Sequence, residues 1–321
     1  MKIRRILAVT LVVALSVVSL AGCSTKDKVF KIGVNQLATH AALDASYQGF
    51  VDALADAGYI DGEKIKIDYQ NAQGDQPTAN TIATKLVNDN NDLILAIATS
   101  SAQAVANATK DIPILITAVT DPAGSGLVAS NDAPGGNVSG TSDLTPIDKQ
   151  IELLTKLVPT AKSIAILYCS SESNSKIQAD IAREAAAEYG LTTMDATVSN
   201  TNEIQQVVQS LVGKVDAIYA PTDNTIASGM PTVTMVANDN GIPVICGEEG
   251  MVDNGGLATI GINYYKLGYL TGEQAVQIME GKAKTETMPI KYLPEDQLAL
   301  KVNEDVAAKL GITIPDDLIT E

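Results

Sequence analysis

Short, largely apolar runs recur along this chain, each followed by a longer amphipathic segment, and that alternation restricts the fold more than any other feature. KIGVNQ (31–36), DLILAIAT (92–99), IPILITAV (112–119), SIAILYC (163–169), VDAIYAP (215–221) and IPVIC (242–246) read as strands. KIKIDYQNA (64–72), LTTMDATV (191–198) and LATIGIN (257–263) extend the series. Between them lie helical patterns. In LDASYQGFVDALADAG (43–58), Leu43, Tyr47, Phe50, Val51 and Leu54 recur at helical spacing and Gly58 can close the helix. The segment 77–90 carries Pro77 at its start, and 224–241 is a helix interrupted near Gly229 and Pro231. Strands alternating with helices of this length predict parallel sheets with helices on both faces.

The alternation stops once, at the Gly-, Ser-, Asn- and Pro-rich stretch 120–143, and then restarts. The prediction is an α/β protein of two doubly wound parallel-sheet lobes. Residues 30–141 with about 263–294 are expected to form lobe one, and 142–262 with about 295–321 lobe two. A chain of this length suits two domains of about 130 to 150 residues.

Residues 1–22 read as a signal peptide. Lys2, Arg4 and Arg5 precede an apolar run from Ile6 to Leu20, then small residues. The run is short for a membrane span of about 20 residues. Leu20-Ala21-Gly22-Cys23 resembles the lipobox of bacterial lipoproteins. That resemblance implies cleavage before Cys23, lipid on Cys23, and a polar tether over 23–29. The expected location is extracytoplasmic, with the protein anchored to the cell membrane by its lipid.

The formal charge is −16, and loss of Lys2, Arg4 and Arg5 takes it to −19. Such acidity argues against nucleic acid as a partner. Cys169 and Cys246 each end an apolar run and read as buried free thiols. His40 is the one histidine and there is no CxxC pair, so no zinc site is expected. No phosphate loop or nucleophile elbow occurs, and the adjacent Glu248 and Glu249 would point apart on an extended backbone. Neither enzymatic activity nor a cofactor is expected.

Ligands of parallel α/β sheets collect at the carboxyl ends of the strands. Those ends carry Gln36, Thr99, Ser100, Ser101, Thr120 and Asp121 in lobe one, and Ser171, Asp223, Asn224, Glu248 and Glu249 in lobe two. His40 lies just after the first strand and Asn174 just after Ser171. Lobe one offers hydroxyls and the free N–H groups of a helix start, which suit a ligand carboxylate near Ser100 and Thr120. Lobe two offers carboxylates, which suit an ammonium. The pair of sockets describes an α-amino acid zwitterion. Several of these residues also have a plain structural reading. Ser100 and Asp223 are good helix caps, and Ser171 can simply begin a helix.

Four segments carry a family resemblance: 31–75, TSSAQAVANATKDIPILITAVTDPAGSGLV (99–128), GGNVSGTSDLTPIDKQIELLTKLVP (135–159) and GIPVICGEEGMVDNGGLATIGINYYKLGYLTGEQAVQIMEGK (241–282). Together the chain resembles the tryptophan/tyrosine-type (TrpX-like) substrate-binding lipoproteins of ABC transporters over about residues 30–318. The resemblance implies a type I periplasmic-binding-protein fold, three crossovers between lobes, a ligand held between them, and a cognate permease and ATPase. In related type I amino-acid receptors a Glu directly before a Gly binds the amine. That correspondence assigns the ammonium to Glu249 and turns Glu248 outward, with both kept as candidates.

The expected function is therefore capture of an amino acid by a monomeric lipoprotein of an ABC importer; the family label implies an aromatic side chain, and the chain's scarcity of aromatic residues argues mildly against taking it from the label. A sugar or nucleoside is the alternative ligand, but the chain has no Trp, and its only phenylalanines are Phe30 and Phe50. Sensing for a membrane kinase is the alternative role.

Overall fold

The computed structural model of the protein describes residues 29–318. The leader, Cys23 and most of the tether lie outside the described residues. Among the described residues, no helix is long and apolar enough to cross a membrane.

The first sheet holds β1 (Phe30–Gln36), β2 (Ile65–Asn71), β3 (Leu93–Ile97), β4 (Ile114–Val119) and β5 (Val138–Ser142), in the order β2-β1-β3-β4-β5. All of its pairs are parallel. Its helices are α1 (Ala41–Asp56), α2 (Gln76–Asn88) and α3 (Thr99–Ala108). The second sheet uses β6 (Ser163–Cys169), β7 (Thr192–Val198), β8 (Ala217–Ala220), β9 (Val244–Cys246), β10 (Ala258–Gly261) and β11 (Ala299–Val302). Its order is β11-β10-β9-β8-β6-β7, parallel except for the edge strand β11. With it go α4 (Ile147–Leu157), α5 (Ser173–Glu188), α6 (Ile204–Leu211), α7 (Asn224–Ser228), α8 (Met230–Asp239) and α9 (Glu249–Asp253). Gly229 separates α7 from α8, where the sequence predicted an interruption.

Both faces of each sheet are buried because strand side chains alternate between two helix layers. In β3, Leu93, Leu95 and Ile97 enter the core shared with α1, while Ile94 and Ala96 enter the core under α2 and α3. In β8, Ala217 and Tyr219 face one layer, and Ile218 and Ala220 the other. Cys169 and Cys246 are buried free thiols within these layers.

Two helices complete the chain: α10 (Tyr264–Met279) and α11 (Glu304–Leu310). Helix α10 follows a strand of the second sheet but packs on α1 of the first lobe, backbone against backbone. A methyl added to Gly49 would stand 2.0 Å from the Tyr265 carbonyl oxygen, and one on Gly268 would stand 1.9 Å from that of Ser46. The chain then runs beside β5, where Lys291 accepts from Ser142 N and donates to Gly140 O, each at 2.9 Å. It returns through 292–298 to β11. The lobes are thus joined by three crossovers: after β5, after β10 and before β11.

Candidate ligand-binding cleft

The carboxyl ends of both sheets face each other across a narrow cavity. Lobe one contributes His40, Ala42 and Leu43 from the start of α1, then Ala118 and Thr120 from the end of β4. Lobe two contributes Asn174, Thr222, Asp223, Asn224, Ala227 and Glu248. Asp143 and Tyr264 join from the first two crossovers. The backbone is strained where lobe one meets the cavity: Ala118 has φ +54°, and Ala98, at the neighbouring strand end, has φ +79°. Non-glycine residues adopt such conformations only where their surroundings hold them there.

The lobes are closed on each other. His40 Nε2 lies 3.2 Å from Asn224 Oδ1. Gln178 of α5 donates to the Thr120 hydroxyl at 3.5 Å, and Gln103 of α3 donates to Ser173 at 3.3 Å. The Asn224 amide nitrogen is itself committed to Glu172 at 2.6 Å. Glu172 also accepts from the backbone N–H groups of Asn224 and Thr225 and from the Thr225 hydroxyl. With the Asn224 amide so fixed, its Oδ1 is an acceptor and His40 Nε2 carries the proton. The Nδ1 atom of His40 is then a buried acceptor with no protein partner. Burial lowers the His40 pKa, against the Asn224 bond and the charges of Glu172 and Asp44, which raise it.

Three carboxylates line the cavity. Asp223 caps α7: its oxygens accept from Cys169 N at 2.6 Å and Ile226 N at 2.7 Å. Burial pushes its pKa up, and neighbouring Glu172 adds to this. Glu248 caps α9, accepting from Gly250 N at 2.6 Å, and burial pushes its pKa up to about 7. Asp143 accepts from the Tyr264 hydroxyl at 2.8 Å through Oδ2, while its Oδ1 has no protein partner. Its pKa is raised by burial, in spite of the Tyr264 hydrogen bond and the nearby Thr120 hydroxyl, which lower it. Asn174 Oδ1 is a further buried acceptor without a protein partner.

The expected orientation of the glutamate pair is reversed. Glu248 lines the cavity and is buried, whereas Glu249 is half-exposed and lies against Gly261, in the field of Lys301. The reason is local. The strand is only three residues long, Glu248 is the extended N-cap of α9, and Glu249 is already its first helical residue. A cap side chain folds back over the helix start, while the next residue is rotated by about 100° around the axis.

Of the other expected residues, His40, Thr120, Asn174, Asp223 and Asn224 line the cavity. Thr99, Ser100 and Ser101 are buried at the start of α3 but do not line it, and Ser101 donates to Asn35 at 3.2 Å. Asp121 accepts from Gly124 N in a tight turn. Ser171 is exposed beside the Cys169 sulfur at 3.1 Å. Gln36 is buried and donates to Asp44 and to the Ala38 carbonyl. The sequence reading missed Asp143, Tyr264 and Glu172. Asp143 follows a strand end as the others do, but it lies in the stretch 120–143, where the alternation of strand and helix is interrupted.

The described geometry has counterparts among known proteins. Residues 31–321 match the family model of the ABC transporter substrate-binding proteins. The chain belongs to that family. This substrate-binding protein is 48% identical, over 97% of its length and 93% of the relative's, to a tyrosine-binding protein of Clostridioides difficile strain R20291. It is 43% identical to a Streptococcus pneumoniae protein solved in complex with L-Trp, at a TM-score of 0.87 over 90% of this chain and 97% of that one. A ligand-free, open substrate-binding protein with adhesive properties from Clostridium difficile is 51% identical but superposes at only 0.68, over 90% and 97% of the two chains. The lobes of the substrate-binding protein therefore stand as in the Trp-bound relative. These neighbours share the type I periplasmic-binding-protein fold.

Proposed function

We propose that this substrate-binding protein captures an α-amino acid with an aromatic side chain between its lobes and delivers it to an ABC permease. The observation that carries the reading is an enclosed cavity with a free helix start on one side and buried carboxylates on the other. Ala42 and Leu43 belong to the first turn of α1, and its cap residue His40 makes no side-chain cap bond. The first N–H groups of that helix are available to a ligand carboxylate, and the helix dipole favours one. Asp143 and Glu248 suit the ammonium. The substrates printed for the two relatives, tyrosine and L-Trp, have both groups and an aromatic ring.

The protein acts by binding and release rather than by catalysis. Closure would rotate lobe one, 30–141 with about 263–294, against 142–262 with about 295–321 about the three crossovers. Lipid on Cys23 would hold it at the outer face of the cell membrane, beside the permease and its ATPase. Calorimetry of residues 24–321 against the natural amino acids, sugars and nucleosides tests the ligand class. L-tyrosine or L-tryptophan is expected to bind at micromolar concentration or below. Tight binding of a sugar or nucleoside, with no amino acid bound, would sink the proposal.

A further inference from the structure

The cavity is lined by more acidic side chains than basic ones. Asp143, Asp223 and Glu248 line it, and among the described residues no Lys or Arg does. His40 is the one basic side chain there, and burial lowers its pKa against the Asn224 bond and the charges of Glu172 and Asp44. The three carboxylates are not equivalent. Both oxygens of Asp223 and one of Glu248 are engaged by main-chain N–H groups of the lobe they belong to. Asp143 is 4% exposed and lines the cavity beside Tyr264 and Thr120, and its Oδ1 is a buried acceptor with no donor within hydrogen-bond distance.

The place of Asp143 in the chain matters as much as its charge. It directly follows β5, at the start of the first crossover, and its other oxygen accepts from Tyr264. Tyr264 opens α10, directly after the second crossover. One hydrogen bond therefore ties together two of the three strands of chain about which the lobes must turn.

We propose that Asp143 is a specificity-determining residue that makes a cationic nitrogen on the ligand the condition for lobe closure. The inference rests on the cavity being the amino-acid site. In the open form water solvates the Asp143 carboxylate. Closure removes that water, and a buried carboxylate without a cation is strongly disfavoured. A ligand ammonium at Oδ1 restores the balance at the hinge itself. A ligand of the same shape lacking the amine then occupies one lobe and leaves the other open. Ligand affinity for the closed state alone drives the shift.

Two measurements test this. Small-angle scattering of the ligand-free protein compares the wild type with Asp143→Asn. The wild type is expected to have the larger, open radius, and D143N to shift toward the closed radius with no ligand added. An equally open D143N overturns the proposal. The second measurement needs no variant, so it stands if D143N fails to fold. L-tyrosine should compact the wild type, while 3-(4-hydroxyphenyl)propionate, the same acid without its amine, should not do so even at saturation. In calorimetry the wild type should prefer L-tyrosine by at least 100-fold, and D143N by less than 10-fold. Compaction by the deaminated acid, or an unchanged ratio in D143N, overturns the proposal. Should no amino acid bind at all, the functional reading fails, and the ligand-free comparison still decides the role of Asp143.

Discussion

His40 and Asn224 belong to different lobes, and His40 Nε2 meets Asn224 Oδ1 at 3.2 Å across the cleft. The bond can exist only when the lobes are closed, and Glu172 sets its polarity by holding the Asn224 amide nitrogen. Asn224→Ala should therefore weaken ligand binding by about 3- to 10-fold, the scale of one hydrogen bond of about 1 kcal/mol. The effect should fall on dissociation, because the latch is made after the ligand has entered. Stopped-flow dissociation rates check this, and an effect confined to association would contradict it.

The two adjacent glutamates should separate cleanly. Glu248→Gln, in the cavity wall, is expected to weaken amino-acid binding by about 1.5–3 kcal/mol, the scale of a charged hydrogen bond. Glu249→Gln, directed toward Gly261 and Lys301, should stay within about two-fold of the wild type. Calorimetry on both variants is sufficient, and the opposite order would return the ammonium to Glu249.

Closure without ligand should depend on pH. Burial raises the Glu248 pKa from 4.5 to about 7, so the closed form binds more protons than the open one between those values. That contribution favours closure at low pH and is lost as the pH rises through about 7. Asp143 and Asp223 are shifted in the same direction. His40 works against them, because burial lowers its pKa from 6.5 and closure then sheds its proton. The ligand-free closed fraction, read by scattering, should be larger at pH 6.5 than at pH 8. Glu248→Gln should flatten that slope.

The contact of α1 with α10 leaves no room for a side chain. Gly268→Ala would drive a methyl to 1.9 Å from the Ser46 carbonyl, against backbone that cannot rotate away. It should destabilise the protein by about 2–3 kcal/mol in denaturant unfolding. Helix α1 carries His40, Ala42 and Leu43 to the cavity, so affinity should fall as well. Gly136→Ala, which meets nothing within 4 Å, should change stability by less than about 0.5 kcal/mol.

The apolar runs and their helical partners were legible because their signal is local and repeated. A run such as Leu93–Ile97, buried on both faces, has few alternatives to a central parallel strand. The strand ends likewise pointed to His40, Thr120, Asn174, Asp223 and Asn224, all of which line the cavity. Ser101 and Asp121 stood at equally good strand ends, yet their side chains bond within lobe one.

What the sequence by itself determined was the kind of molecule: an α/β chain of two lobes whose polar strand ends face a common cleft. Hydrophobic periodicity suffices for that, since each strand and helix reports its own burial. Only the tertiary structure decided which acid lines the cavity. Glu248 and Glu249 are neighbours of the same chemistry, and a three-residue strand turning directly into a helix sends one inward and the other away. Tertiary structure also brought Asp143 to Tyr264 across 121 positions of sequence. No local pattern encodes that pairing, because the crossovers set it.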